Sequence, residues 1–75
     1  MSQRTSTATD TVAANIRAEM ARQRLSQSAV AVEVGMSPAA ISQRLCGKTA
    51  INIEELVRLA RVLNVPAEAL LRDAA

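Results

Sequence analysis

The chain has 75 residues, enough for one small domain with a modest core and too few for a second, sensing domain. Hydrophobic residues make up 49% of it, yet Phe, Tyr and Trp are absent, so we expect closely packed helices with an aliphatic and methionine core. Nine basic and seven acidic side chains without histidine give a formal net charge of +2, which permits nucleic-acid binding but does not establish it.

The N-terminal part of the chain is predicted to be an arm followed by a helix. Residues 1–10 are assigned to a flexible arm, because they are rich in Ser and Thr and nearly devoid of apolar side chains. Asp10 or Thr11 can cap a helix that runs to about residue 24. Its apolar side chains recur every four residues, at Val12, Ile16 and Met20. Ser26 offers the cap of the next helix.

Two short helices joined by a tight turn are predicted in residues 27–46. Gly35 follows an apolar run and can take the left-handed backbone conformation that ends a helix without a Cβ clash. Two residues later, Ser37 can cap free backbone N–H groups, and Pro38 suits the first helical position. The small Ala31 lets the two helices cross closely. This is the construction of a DNA-binding helix-turn-helix, with its recognition helix at 38–46.

The rest of the chain is predicted to hold a loop and two further helices. Residues 47–52 form the loop, and Asn52 caps a fourth helix whose acidic side chains precede its basic ones, as the helix dipole favours. The apolar stripe of this helix consists of Ile53, Leu56, Leu59, Ala60 and Leu63. Pro66 opens a short fifth helix that runs to about Arg72. The predicted fold class is therefore all-α, a compact bundle of about five short helices spanning residues 11–73.

Composition and motifs argue against catalysis and against a membrane protein. The chain has no histidine, no glycine-rich phosphate loop and no carboxylate cluster at metal spacing, so we predict no enzyme, no cofactor, no metal and no small-molecule ligand. Cys46 is the only cysteine, which rules out an internal disulfide and suits a reducing cytoplasm. No apolar run approaches the roughly 20 residues of a membrane span, and no signal-peptide core is present, so we expect a soluble cytoplasmic protein.

The chain resembles the Cro and lambda-repressor type helix-turn-helix family, also called the xenobiotic-response-element family, over roughly residues 13–71. The likeness lies in the order and spacing of short motifs: LSQ from Leu25, the small Ala31, GMS from Gly35, AIS from Ala40, GK from Gly47, and then EELVRLARVLNVPAEALL. The resemblance implies a phage-repressor-like DNA-binding domain with the lambda-repressor fold.

The resemblance also implies which side chains meet bases. In that family the recognition helix lies in the major groove, and its first, second and sixth positions, here Pro38, Ala39 and Gln43, most often touch base edges. Gln43 is the best candidate for a base hydrogen bond, with adenine its bidentate partner; the alternative is a solvated polar side chain. Ser42, beside it, is assigned to base or phosphate. Arg44 replaces the family's usual apolar or aromatic residue, so it either contacts DNA or covers the core with its aliphatic stem.

A second set of residues is assigned to the DNA backbone. Between Met36 and Asn52 the chain carries two basic residues, Arg44 and Lys48, and no acidic one, a distribution that suits a phosphate-facing surface. The family's pattern assigns backbone contacts to Gln27, Lys48, Thr49 and Asn52, and Ser37 is assigned to the backbone with them. In the arm, Arg4 is assigned to the DNA backbone, and the alternative is a solvated terminus. Such contacts add affinity without sequence information.

We expect a sequence-specific transcriptional repressor of the phage-immunity or Cro-like kind that binds double-stranded DNA in the nucleoid. Because one such domain reads only a few base pairs, it is expected to bind a palindromic operator as a homodimer, pairing through Leu70, Leu71 and the end of the fourth helix. Two alternatives stay open. One is an antitoxin or other protein-interaction module with the same fold. The other is a restriction-system controller that activates transcription through an acidic contact such as Glu33.

Overall fold

The computed structural model describes residues 7–74, which form five helices around one core. In chain order the helices are α1 (Thr7–Gln23), α2 (Gln27–Val34), α3 (Pro38–Leu45), α4 (Ile53–Leu63) and α5 (Ala67–Leu70). This part of the chain contains no strand, and the predicted all-α bundle of five short helices is confirmed. None of the helices described is long and apolar enough to cross a lipid bilayer.

The first helix begins earlier than the sequence predicted. α1 starts at Thr7, so residues 7–10, which were assigned to the arm, are helical. Ala8 and Thr9 are half-buried along a shallow apolar groove between α1, the loop before α4 and the end of α5. This packing offsets the modest helix propensity of threonine, which local sequence patterns alone do not reveal. Arg4, the predicted arm contact, lies outside the described residues.

The boundaries of α2 and α3 match the sequence signals. Ser26 Oγ and Ser37 Oγ accept hydrogen bonds from the backbone amides of Ala29 and Ala40, each at 3.1 Å, so both serines are N-caps as predicted. Gly35 has a φ of 79° and ends α2 in the left-handed conformation, and proline occupies the first position of α3. The turn between the two helices is therefore specified by residues within it.

Aliphatic side chains from all five helices meet in the core. Its fully buried members include Ile16 from α1, Val30 and Val34 from α2, Ile41 and Leu45 from α3, Leu59 and Leu63 from α4, and Leu70 from α5. Burial of each such side chain stabilises the fold by roughly 1.5–3 kcal/mol relative to exposure. Because the two anchors of α3 lie one turn apart on the same side, the opposite side of α3 is left at the surface.

Two amide side chains of α1 hold the C-terminal helices in place. Asn15 Nδ2 donates to the carbonyl oxygens of Leu70 and Arg72, both at 2.9 Å. Gln23 Nε2 donates to the carbonyl oxygen of Leu63 at 2.6 Å. These bonds satisfy carbonyl groups that a helix C-terminus leaves unpaired, so α4 and α5 end against α1. The residues just after α5, which were predicted to be helical, form a turn instead.

Candidate nucleic-acid interface

Four of the five predicted base contacts lie together on the exposed side of α3. Pro38, Ala39, Ser42 and Gln43 are exposed, and we call them the outer edge of α3. The helix is held from behind by Ile41 and Leu45, which are 0% and 1% exposed. The outer edge therefore lies on a helix that is fixed by its own core side chains. Ser42 and Gln43 are its polar side chains, and Pro38 and Ala39, in the first turn of the helix, are apolar.

The Gln43 side chain is oriented by the loop that follows α3. The backbone amides of Lys48 and Thr49 donate to the Gln43 carbonyl oxygen at 3.0 and 3.2 Å. The Thr49 hydroxyl also donates to Gln43 Oε1 at 3.4 Å. Gln43 Nε2 makes no hydrogen bond within residues 7–74, so its two N–H donors remain free for an external acceptor. Lys48, in this loop, is exposed.

Arg44, predicted to contact DNA, is bound within the protein. Its Nε and Nη2 donate to the two carboxylate oxygens of Glu55 at 2.9 and 3.0 Å, and its Nη1 donates to the carbonyl oxygen of Ala40 at 3.1 Å. The Arg44 and Glu55 side chains are only 19% and 10% exposed. Hydrogen bonding from Arg44 lowers the pKa of Glu55 below its usual range, which keeps the pair charged at neutral pH. The guanidinium group is therefore directed to α4 and away from the outer edge.

Sequence reasoning missed this role of Glu55, although part of it had a local signal. The spacing Asn52-x-x-Glu55 forms a capping box: the Glu55 amide donates to Asn52 Oδ1 at 2.8 Å, and the Asn52 amide donates to Glu55 Oε1 at 3.2 Å. The pairing with Arg44 has no such signal, because the two residues are 11 positions apart across a loop.

Two predicted backbone contacts, Ser37 and Asn52, are N-cap residues of α3 and α4. Their side-chain oxygens accept hydrogen bonds from the first turn of each helix, at 3.1 Å from the Ala40 amide and 2.8 Å from the Glu55 amide. A serine hydroxyl keeps its own O–H donor, and an asparagine side chain keeps its NH₂ group, when the oxygen caps a helix. Both residues can therefore cap a helix and donate to a phosphate at the same time.

A polar cleft of about 360 Å³ lies beside the outer edge and is lined by Arg17, Gln27, Ser42, Leu45 and Cys46. It brings the predicted backbone contact Gln27 next to the predicted base contact Ser42. Arg17 Nη1 donates to the carbonyl oxygen of Leu45, in the last turn of α3. Nothing in the local sequence distinguishes Arg17 from the other basic residue of α1, Arg22, so this position was not predicted. Through Arg17, a positively charged side chain therefore lies at the border of the candidate interface.

The two residues predicted to pair in a dimer occupy different environments. Leu70 is 1% exposed and packs in the core, so it is not available to a partner, which corrects the prediction. Leu71 is 45% exposed, and Ile53 and Val57 at the start of α4 are 74% and 38% exposed. Leu71 and Ile53 border the shallow apolar groove near the start of α1. The exposed apolar surface on α4 thus lies at the start of that helix, whereas the prediction named its end.

Comparisons with known proteins agree with this architecture. A helix-turn-helix family model, HTH_3, matches residues 16–70 of the chain. Among solved structures, the chain is similar to the crystal structure of the clp gene regulator ClgR from C. glutamicum, with a TM-score of 0.84 at 19% identity over 89% of this chain and 87% of that one. At this identity the similarity shows a shared fold. No curated protein matches the chain. The family match places the chain in the HTH_3 family of Cro and lambda-repressor type helix-turn-helix proteins, as a DNA-binding transcription regulator and not an enzyme.

Proposed function

We propose that this regulator is a repressor, of the phage-immunity or Cro-like kind, that places α3 in the major groove of a palindromic operator. The observation that carries the proposal is the outer edge of α3, which projects Ser42 and Gln43 from a helix anchored by Ile41 and Leu45. Because the core fixes the orientation of α3, the same side chains always face the DNA, as sequence-specific recognition requires.

Gln43 is the principal base contact in this proposal. Its amide can donate to adenine N7 and accept from adenine N6 in the major groove. The Thr49 hydroxyl, 3.4 Å from Gln43 Oε1, limits rotation of the amide before DNA arrives. Pro38 and Ala39 offer no side-chain donor, so they contribute through shape and contact with thymine methyl groups. Ser42 has a shorter side chain, whose hydroxyl group can donate a hydrogen bond to a base or a phosphate.

Backbone contacts are assigned to residues that surround the outer edge. They are Gln27 in the cleft, Ser37 and Asn52 at their helix caps, Lys48 and Thr49 in the loop, and Arg17 as an addition from the structure. Arg4, outside the described residues, keeps its assignment from the sequence. Arg44 is removed from the base contacts, because each of its three guanidinium nitrogens donates a hydrogen bond to Glu55 or to the Ala40 carbonyl group.

The operator is proposed to bind two copies of the chain. One domain of this size reads only a few base pairs, so useful selectivity requires two half-sites about one helical turn apart. We assign the pairing surface to Leu71 together with Ile53 and Val57, whose exposure leaves apolar area for a partner. Leu70 supports that surface from the core.

A protein-interaction module such as an antitoxin is the second candidate. It is favoured by a separate apolar groove of about 270 Å³ lined by Leu25, Ala29, Val30, Glu33 and Val62, with Val32 of the same helix 78% exposed. That groove belongs to α2 and α4 and does not include the outer edge of α3. A partner bound there would leave DNA binding intact.

Selection of bound sites from random double-stranded DNA tests the leading proposal. We expect enrichment of an inverted repeat with half-site centres about 10–10.5 base pairs apart. Enrichment of a single half-site would refute the dimeric mode, and absence of enrichment would refute sequence-specific recognition and favour the interaction module.

Two substitutions then separate base readout from backbone contact. Gln43→Ala should cost about 1–3 kcal/mol on the selected site, a loss of roughly 5- to 150-fold, and should relax one base position in each half-site. Lys48→Ala should weaken binding to the selected site and to random DNA alike and should reduce the salt slope by about 1. The measurement is a fluorescence-anisotropy titration at several salt concentrations. Equal losses on both DNAs for Gln43→Ala would refute its assignment to a base.

A further inference from the structure

The Arg44–Glu55 pair lies between two groups of proposed DNA contacts. Arg44 follows Gln43 directly in α3, and Glu55 also accepts a hydrogen bond from the amide of Asn52, the cap of α4. The guanidinium group therefore lies against the start of α4, although Arg44 is the sequence neighbour of Gln43 in the outer edge. Arg44 thus extends from the helix that the proposed function sets against DNA, and it is close in the chain to the assigned contact Gln43.

An unpaired arginine at such a place would strengthen binding to DNA of any sequence. Each phosphate contact of a cation releases counterions and adds affinity that does not depend on base identity. Glu55 prevents this in two ways. Its two oxygens engage Arg44 Nε and Nη2 at 2.9 and 3.0 Å, which fixes the guanidinium against α4, and its negative charge neutralises the arginine.

We propose that Glu55 is a specificity-determining residue of this DNA-binding domain, because it holds Arg44 against α4 and withholds from DNA a cation that would strengthen binding to every sequence alike. The inference rests on the proposed function, since it requires α3 to lie against DNA. This role requires no contact between Glu55 and DNA. Glu55 acts through Arg44 as a positioning residue.

Glu55→Gln is the informative substitution, and Glu54→Gln is its matched control. Glutamine is accepted at this position of a capping box, so the start of α4 keeps its cap, while the charge-assisted bidentate pair with Arg44 is lost. Glu54 is the exposed neighbour in the same turn and forms no ion pair within residues 7–74. Both substitutions change the net charge by one unit, so their difference isolates the release of Arg44.

Binding to random DNA and to the selected operator is measured for both variants of the full chain over a range of salt concentrations. Relative to Glu54→Gln, we expect Glu55→Gln to bind random DNA about three- to tenfold more tightly, with a salt slope steeper by about 0.9, as one added phosphate contact requires. The ratio of operator to random affinity should fall by a similar factor. Loss of structure alone would weaken binding to both DNAs, so it cannot imitate this result.

The double variant Arg44→Gln/Glu55→Gln identifies the source of the gain. It has no charge at either position, so its affinity for random DNA should return to within about twofold of the wild-type value, since one phosphate contact is removed. Equal binding of random DNA by Glu55→Gln and Glu54→Gln would overturn the inference, as would a double variant that keeps the gain. Failure of the wild-type chain to prefer any sequence would refute the proposed function. That result is measured on the wild-type chain, so it can be distinguished from the two outcomes that are measured on the variants.

Discussion

At the scale of single residues, Glu55 connects three parts of the structure. Its carboxylate accepts hydrogen bonds from the side chain of Arg44 in α3 and from the backbone amide of Asn52 in the preceding loop. It is 8% exposed, and a buried carboxylate stabilises a fold only while its charge is compensated. The Glu55 side chain therefore links α3, the loop after it and the start of α4.

The pH dependence of stability should report this pair. Because Arg44 lowers the folded-state pKa of Glu55, the stabilisation is fully present above the pKa of an unfolded glutamate, about 4.3, and is lost as the pH falls through the lower folded value. Glu55→Gln should lower the thermal midpoint at pH 7 by several degrees, corresponding to about 1–2 kcal/mol. The difference from wild type should shrink towards pH 3.

Thermal melts followed by circular dichroism at pH 7 and pH 3 make the comparison. Glu19, whose pKa is lowered by hydrogen bonds from Gln23 and Arg22, also titrates in this range, but it is present in both proteins and its contribution cancels. A difference in midpoint that is the same at both pH values would show that the Glu55 charge does not stabilise the fold.

At the scale of helices, α2 and α3 begin with equivalent caps that carry different functional assignments. Ser26 and Ser37 each accept a hydrogen bond at 3.1 Å from the amide three residues later. Only Ser37 lies next to the outer edge of α3 and is assigned to a phosphate. Comparing substitutions at the two serines therefore separates the effect of losing a helix cap from the effect of losing a DNA contact.

Ser37→Ala and Ser26→Ala should each cost about 1 kcal/mol of stability, as loss of a serine N-cap does. Ser37→Ala should weaken DNA binding more than Ser26→Ala, because it also removes the hydroxyl donor. Ser37→Asp keeps a good cap but sets a negative charge beside the DNA, so it should retain stability and lose affinity. Urea unfolding and anisotropy titrations measure the two quantities. Normal DNA affinity in Ser37→Asp would remove Ser37 from the interface.

At the scale of the whole molecule, the neighbouring residues Leu70 and Leu71 lie in different environments: Leu70 is buried in the core and Leu71 is at the surface. Leu70 completes the core, where Asn15 of α1 also binds its carbonyl oxygen at 2.9 Å. Ile53, across the shallow groove from Leu71, is 74% exposed. The stability of one copy and the association of two copies therefore depend on different residues.

Leu70→Ala and Ile53→Gln should separate these two properties. Leu70→Ala leaves a cavity in the core and should cost about 2–5 kcal/mol in the free energy of unfolding. Ile53→Gln replaces an exposed apolar side chain, so it should leave unfolding within about 0.5 kcal/mol of wild type and weaken dimer formation. Urea unfolding and analytical ultracentrifugation, with and without operator DNA, measure the effects. Unchanged association in Ile53→Gln would place the pairing surface elsewhere.

The sequence by itself determined the helices of the DNA-binding unit and the family to which the chain belongs. A left-handed glycine at Gly35, serine caps at Ser26 and Ser37 and the apolar spacing of α4 act over three or four residues, so they are legible without a structure. The same signals located the outer edge of α3, because the helical period separates buried from exposed positions once the helix is known.

The tertiary structure decided the partners of side chains whose neighbours are distant in sequence. Arg44 binds Glu55 across 11 residues, Arg17 reaches Leu45 across 28, and Asn15 reaches the end of α5 across 55. The local sequence around an arginine is compatible with several environments for its long, charged side chain. Only the packing of α3 against α4 determines that Arg44 binds Glu55. Whether a leucine near the end of the chain belongs to the core or to a partner is likewise fixed by where α5 lies against α1.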